Sequence, residues 1–157
     1  MDRTLNCAKN ELGIFSNESM LLKRELTDTT GVKNYVQLVG GSWRGCSSVL
    51  GKRGGRQKLS LGEGKERCAM TCIHGDVIIH EFLHTLGLDH VQSRPDRDQY
   101  IEVIFDNIGL PSQYQKMPYE DALTFGFKYD GRSIMHYNWK KFAIDDLRPT
   151  MLSKVCT

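Results

Sequence analysis

The 157-residue sequence has no run of 18 apolar residues, which leaves out a membrane-spanning helix. Its formal charge is only +2 and its 25% of charged residues is ordinary, so the charge balance calls for neither nucleic acid nor a membrane surface as a partner. Residues 51–65 carry five glycines and five Lys or Arg side chains. They lack the G-x-x-x-x-G-K-[ST] of a phosphate loop and the interleaved aromatics of a nucleic-acid-binding face, and so read as hairpin turns with solvated charges. Residues 1–6 contain no apolar h-region and, as written, do not form a signal peptide. A chain of this length is expected to form one domain with a real core.

Cysteine is present in an odd number: Cys7, Cys46, Cys68, Cys72 and Cys156 leave at least one thiol outside any intramolecular bridge. Cys68 and Cys72 are close enough for a metal clip, but no second pair of matching spacing supports a structural zinc.

The informative stretch is His80-Glu81-Phe82-Leu83-His84-Thr85-Leu86-Gly87-Leu88-Asp89-His90. Residues four apart on a helix return to nearly the same face, so His80 and His84 can offer two imidazoles to one ion. Glu81 stands beside the first of them, within reach of a proton on water held by that ion. Gly87 tolerates the left-handed backbone that ends the helix and turns the chain, which returns His90 as a third ligand. Three protein ligands leave a position open for water, the mark of a catalytic rather than a structural zinc. A bare H-E-x-x-H arises by chance, and two helix histidines are more often plain polar residues. The extension through Gly87 and His90 makes the pattern far more specific.

This longer pattern resembles that of the metzincin proteases, which also carry a downstream Met-turn. Ser133-Ile134-Met135-His136-Tyr137 supplies one, and Met135 reads equally well as a packed core methionine. Within the metzincins the chain resembles the astacins. Arg94-Pro95-Asp96-Arg97-Asp98 is similar to the family's R-x-D-R-D, and residues 133–137 to its S-x-M-H-Y. Residues 45–61 align without a gap to its G-C-x-S-x-x-G-R-x-x-G-x-Q-x-x-S-L. The resemblance covers roughly residues 35–142.

The resemblance implies an α+β, metzincin-type fold, with a small twisted sheet and the zinc helix above the cleft and an irregular lower part holding the Met-turn. The boundary falls between about residue 87 and residue 90 of a single catalytic domain. It implies a zinc-dependent metalloendopeptidase with one catalytic Zn2+ on His80, His84 and His90, and Glu81 as base. Tyr137, otherwise a core ring with a bonded hydroxyl, takes the role of a fifth ligand that swings to the oxyanion. Ser47, Ser48, Val49 and Leu50 become the rim strand against which a peptide lies. By resemblance Cys46 pairs with Cys72, a closure stabilising by about 3 kcal/mol on the chain-entropy model; Cys7 with Cys156 is a looser pairing and Cys68 the leftover. His136 holds a position that is not a ligand in the family. The implied setting is extracellular, and the implied partner a peptide or protein substrate met by a monomer, without nucleic acid or membrane.

The chain departs from the family at Val91, where astacins carry the glutamate that ties down the mature N-terminus. Residues 1–34 show no clear match, and the usual N-terminal strands are expected to be missing; the C-terminal part is expected to be shortened or replaced. The alternative reading is a zinc-binding, weakly active or inactive relative acting as a binding or decoy protein.

Local patterns predict strands at 35–39, 47–50 and 57–61, with Leu59 and Leu61 on one face. The zinc helix is expected over 76–86, with Asp76 as N-cap or first-turn acid and His74 an ordinary loop histidine. Ile78, Ile79, Phe82, Leu83 and Leu86 offer a surface broad enough to bury most of it. Residues 21–26 read as a short amphipathic helix, 100–105 as extended, and 118–125 as a helix with Pro118 in its first turn.

Overall fold

A computed structural model describes residues 33–40, 45–62, 72 and 74–155. The expected helix at 21–26, the pairing of Cys7 with Cys156, and Cys68 lie outside the described residues. The chain divides into two compact units between Leu88 and Asp89.

In the first unit, β1 (Tyr35–Val39), β2 (Cys46–Ser48) and β3 (Arg56–Leu61) form one sheet in the order β1-β3-β2. β1 runs parallel to β3, pairing Tyr35 with Arg56, and β2 runs antiparallel to it, pairing Cys46 with Leu61. Side chains alternate along a strand, so Gln57, Leu59 and Leu61 turn inward while Arg56 and Lys58 face solvent. Leu59 and Leu61 pack with Cys72 and Ile78, flanked by Val36, Leu38, Cys46 and Phe82. The inward Gln57 donates to the Gly51 carbonyl (3.0 Å) and accepts from the Arg53 N–H (3.0 Å). A buried amide thereby braces the turn that closes strand β2 early. This is why Val49 and Leu50 fall outside the ladder expected to include them.

The helix α1 (Gly75–Thr85) lies against β2 and β3. Its N-cap is His74, in extended conformation, and Asp76 is a first-turn acid, where it favours the positive end of the helix dipole. The Cys46–Cys72 disulfide, with Cα atoms 5.4 Å apart, ties β2 to the chain just ahead of the helix. The expected breadth of burial is not observed. Ile78 is buried, but Ile79 and Leu86 are exposed, because the sheet covers only the face carrying Ile78, Glu81 and His84. No helix among the described residues is long and apolar enough to cross a membrane.

In the second unit, β4 (Ile101–Val103) and β5 (Met151–Ser153) pair antiparallel, and the remainder consists of 3-10 turns and irregular chain. Ile101, Ile108, Tyr114 and Met151 form its core, with Val103, Tyr129, Tyr137 and Phe142 against them. Irregular chain has no ladder to satisfy its carbonyls, so side chains take over. Buried Asn107 donates to the carbonyls of Asp145, Arg148 and Pro149 and accepts from the Asp145 N–H.

The helix expected over 118–125 is absent. A 3-10 turn at Tyr119–Asp121 is followed by a non-helical Ala122 (φ −94°, ψ 88°) and left-handed Phe125 (φ 51°). Tyr119, Leu123, Phe125 and Phe127 are all exposed, so no buried stripe repays the cost of nucleating a short helix.

Candidate metal centre

The helix carries His80 and His84 one turn apart, their rings 4.7 Å between centroids and nearly perpendicular. His84 is buried and shares its Nδ1 with the Leu88 carbonyl at 2.8 Å. A carbonyl only accepts, so the proton sits on Nδ1 and Nε2 is left as the electron-pair donor. That bond exists because Gly87, at φ +101°, reverses the chain directly after the helix. The same turn is closed from the sheet side, where the His84 carbonyl accepts from the N–H of Gly51 (2.8 Å) and of Gly87 (2.9 Å).

The ligand-capable atoms of His80, His84 and His90 all lie within 4.8 Å of one another. They form the one such group of His, Cys, Asp and Glu among the described residues. A set of three imidazole nitrogens fits zinc, which takes His ligands at about 2.0–2.1 Å and keeps a fourth position for water or substrate. Glu81, next to the first ligand, is buried, and Thr85 returns its hydroxyl to the Glu81 carbonyl at 3.2 Å.

His90 is followed by a 3-10 turn, Val91–Ser93, that is locked to the Met-turn from both sides. The Val91 N–H donates to the Met135 carbonyl at 3.0 Å, and the Tyr137 N–H to Gln92 Oε1 at 3.1 Å. Met135 itself is buried, its N–H taken by Ser133 Oγ at 3.1 Å. The Tyr137 ring lies 4.4 Å from the His90 ring, so the phenol and the third histidine share one neighbourhood. Its hydroxyl has Gln113 Oε1 at 3.4 Å.

A family model for astacin, a family of peptidases, matches residues 20–157. The chain belongs to the astacin family. Among astacin relatives, it is 42% identical over 123 residues to zinc metalloproteinase nas-15 of Caenorhabditis elegans, a match spanning 77% of this chain and 20% of that protein. It is 39% identical over 115 residues to high choriolytic enzyme 2 of Oryzias latipes, spanning 73% and 38%. The solved structure of high choriolytic enzyme 1, a hatching enzyme zinc-protease of the same fish, matches at a TM-score of 0.68 and 28% identity, over 88% of this chain and 70% of that one. The chain spans about a fifth of the length of nas-15. The α+β metzincin fold of the astacins is therefore the fold of this chain, and one catalytic zinc is the family's cofactor.

Of the residues singled out from the sequence, the histidine triad is gathered and the Cys46–Cys72 bridge is formed. Ser47 lies on β2, at one end of the strand order and exposed, while Ser48 turns its hydroxyl to Thr85 Oγ1 of the zinc helix at 2.6 Å. His74 is exposed and belongs to no metal group. His136 has both ring nitrogens engaged, by the Tyr137 carbonyl (2.6 Å) and the Tyr129 hydroxyl (2.7 Å). Burial pushes its pKa below the ordinary histidine value, as it pushes the Tyr129 phenol up.

Two contributions of the astacin motif were not visible in its spacing. Arg97 is buried and donates to the carbonyls of Gln92 (2.8 Å) and Tyr114, carrying its charge beneath the turn that follows His90. Arg94 forks onto Asp96 (2.9 and 2.7 Å) and reaches the carbonyls of Phe127 and Lys128. A charged motif shows that something is bound. It does not show that the acceptors are distant backbone carbonyls.

Proposed function

We propose that this chain is a zinc endopeptidase catalytic domain that hydrolyses peptide bonds within protein or peptide substrates, acting outside the cell as a monomer. The observation that carries the reading is the buried His84 ring, held in one tautomer by Leu88 within a group of three converging histidines. Zinc, when bound there, supplies Lewis acidity toward the scissile carbonyl and lowers the pKa of water.

His80, His84 and His90 bind the ion through neutral nitrogens. Glu81 takes the proton of the attacking water and returns it to the leaving amine, which its place beside His80 supports. Tyr137 donates its hydroxyl to the oxyanion of the tetrahedral species, and its position against His90 supports that role. Ser47, Ser48, Val49 and Leu50 hold the substrate backbone alongside β2, whose place at one end of the strand order suits addition of a strand. Gly87 and Met135 position the ligands without touching substrate. The Cys46–Cys72 bridge supports an oxidising, extracellular setting.

The test is cleavage of casein and of a quenched peptide by zinc-loaded protein, with metal analysis alongside. Glu81→Gln is expected to keep stoichiometric zinc and lose cleavage. Zinc bound to the unaltered chain without any cleavage would instead establish the non-catalytic binding protein.

A further inference from the structure

We propose that Tyr129 is a positioning residue for Tyr137, acting through His136. The inference rests on the reading of Tyr137 given above, since what it explains is how that phenol is aimed.

Tyr137 follows a packed turn, and its backbone is held at both polar ends. Its N–H donates to Gln92 Oε1, and its carbonyl accepts from His136 Nδ1 at 2.6 Å. The carbonyl contact requires the proton on Nδ1, because a carbonyl has none to give. His136 must therefore present Nε2 as an acceptor, and the hydroxyl of Tyr129 meets that nitrogen at 2.7 Å. The Tyr129 O–H selects the tautomer, and the tautomer holds the Tyr137 carbonyl.

Tyr129 is itself fixed on two sides. Its ring stacks on Tyr100 at 4.8 Å and 7°, and the Arg94 guanidinium stands over it at 5.5 Å. Arg94 in turn holds the carbonyls of Phe127 and Lys128, the residues leading into Tyr129. The run Arg94–Asp96 thus aims a tyrosine, the tyrosine fixes a histidine, and the histidine sets the backbone that carries the phenol beside His90. Without the Tyr129 hydroxyl, His136 is free to carry its proton on Nε2, and two acceptors then face each other at the Tyr137 carbonyl.

The test pairs kinetics with 15N NMR of the His136 ring in zinc-loaded protein. Tyr129→Phe keeps the stacked ring and removes only the hydroxyl. It is expected to lower kcat about tenfold with KM and zinc content unchanged, and to replace a single Nδ1–H tautomer by a mixture. In a Tyr137→Phe background the same substitution is expected to cost no further kcat, since its route is then gone. His136→Asn supplies a second variant: its amide can donate to the Tyr137 carbonyl without help, so adding Tyr129→Phe to it is expected to change nothing.

An unchanged tautomer or unchanged kcat in Tyr129→Phe overturns the proposal. So does a tenfold loss that persists in the Tyr137→Phe background, which marks a purely structural role. Full kcat in Tyr137→Phe alone overturns the oxyanion assignment together with this inference. An impaired Tyr137→Phe with additive losses overturns this inference only.

Discussion

The Nδ1–H of His84 donates to the carbonyl of Leu88, four residues later and beyond the end of the helix, at 2.8 Å. A metal-binding imidazole gains basicity and a fixed orientation when its other nitrogen donates to a carbonyl. Here the acceptor is supplied by the chain reversal at Gly87, whose φ of +101° lies where a side chain is strained. Motif glycine and motif histidine are parts of one device.

Gly87→Ala is therefore expected to act on metal affinity as well as on stability. A Cβ at Gly87 meets only ordinary contact, at 3.8 Å from Gly51 Cα, so the cost comes from the backbone angle and not from a clash. Strain of this kind costs roughly 1–3 kcal/mol, and disturbing a metal ligand's supporting bond weakens binding about 10–100-fold. Zinc competition against a calibrated chelator, alongside thermal melting, checks both. An unshifted zinc affinity would show that the Leu88 carbonyl does not depend on the glycine turn.

Reduction of Cys46–Cys72 is expected to destabilise the first unit by about 3 kcal/mol on the chain-entropy model, the sequence separation being 26 residues. The bridge joins β2 to the segment entering α1, and Ser48 adds a hydroxyl contact to Thr85 further along the helix. Urea unfolding of the Cys46→Ser, Cys72→Ser double variant against the oxidised chain measures the loss. Equal midpoints in the two would remove the bridge from any account of what holds the helix on the sheet.

What could be read from residues alone follows the reach of each signal. The H-E-x-x-H spacing, the glycine after it and the placing of Leu59 and Leu61 on one face are local and periodic, and the structure carries them as expected. The segment 118–125 had helix-compatible residues and a proline at its start, but helix formation needs a buried stripe, and Leu123 and Phe125 are exposed. Composition cannot report a missing partner surface. The hydrogen-bonding roles of Arg97, Asn107 and His136 are illegible in the sequence for the opposite reason. Their acceptors are backbone carbonyls up to 42 residues away, and a carbonyl has no letter in the sequence.

The Arg94–Asp96 pair gives the acid limb of stability a defined sign. The Arg94 guanidinium holds the Asp96 carboxyl below its ordinary 3.8 through two hydrogen bonds, and Asp96 raises Arg94 in return. The folded pKa lies below the unfolded one, so the pair's contribution is complete above about pH 3.8 and is lost as pH falls through the lower, folded value. Asp96→Asn is expected to lower the melting temperature at pH 7 and to bring the two proteins together as the buffer is taken below pH 3.8. Curves that stay parallel down to acid would mean that the carboxylate charge contributes nothing.

Arg97 offers the sharpest test of how the second unit holds the third ligand. The residue is 4% exposed, and its guanidinium is ion-paired to Asp98 at 3.2 Å and donates to the carbonyls of Gln92 and Tyr114. Nη1 serves both carbonyls and Nε the carboxylate, and lysine, which carries the same charge on a single nitrogen, cannot hold all three acceptors from two separated donors. Arg97→Lys is expected to leave at least one of these three acceptors without its donor, at about 1–3 kcal/mol. Because Gln92 lies two residues beyond His90 and accepts the Tyr137 N–H, that loss is expected to loosen the turn after the ligand as well as the fold. Denaturant unfolding should show the lost stability, and hydrogen exchange should locate it, with faster exchange at the Val91 and Tyr137 amides than at those of β3. Uniform acceleration across both units would instead mark Arg97 as a general stabiliser with no special hold on the residues after His90.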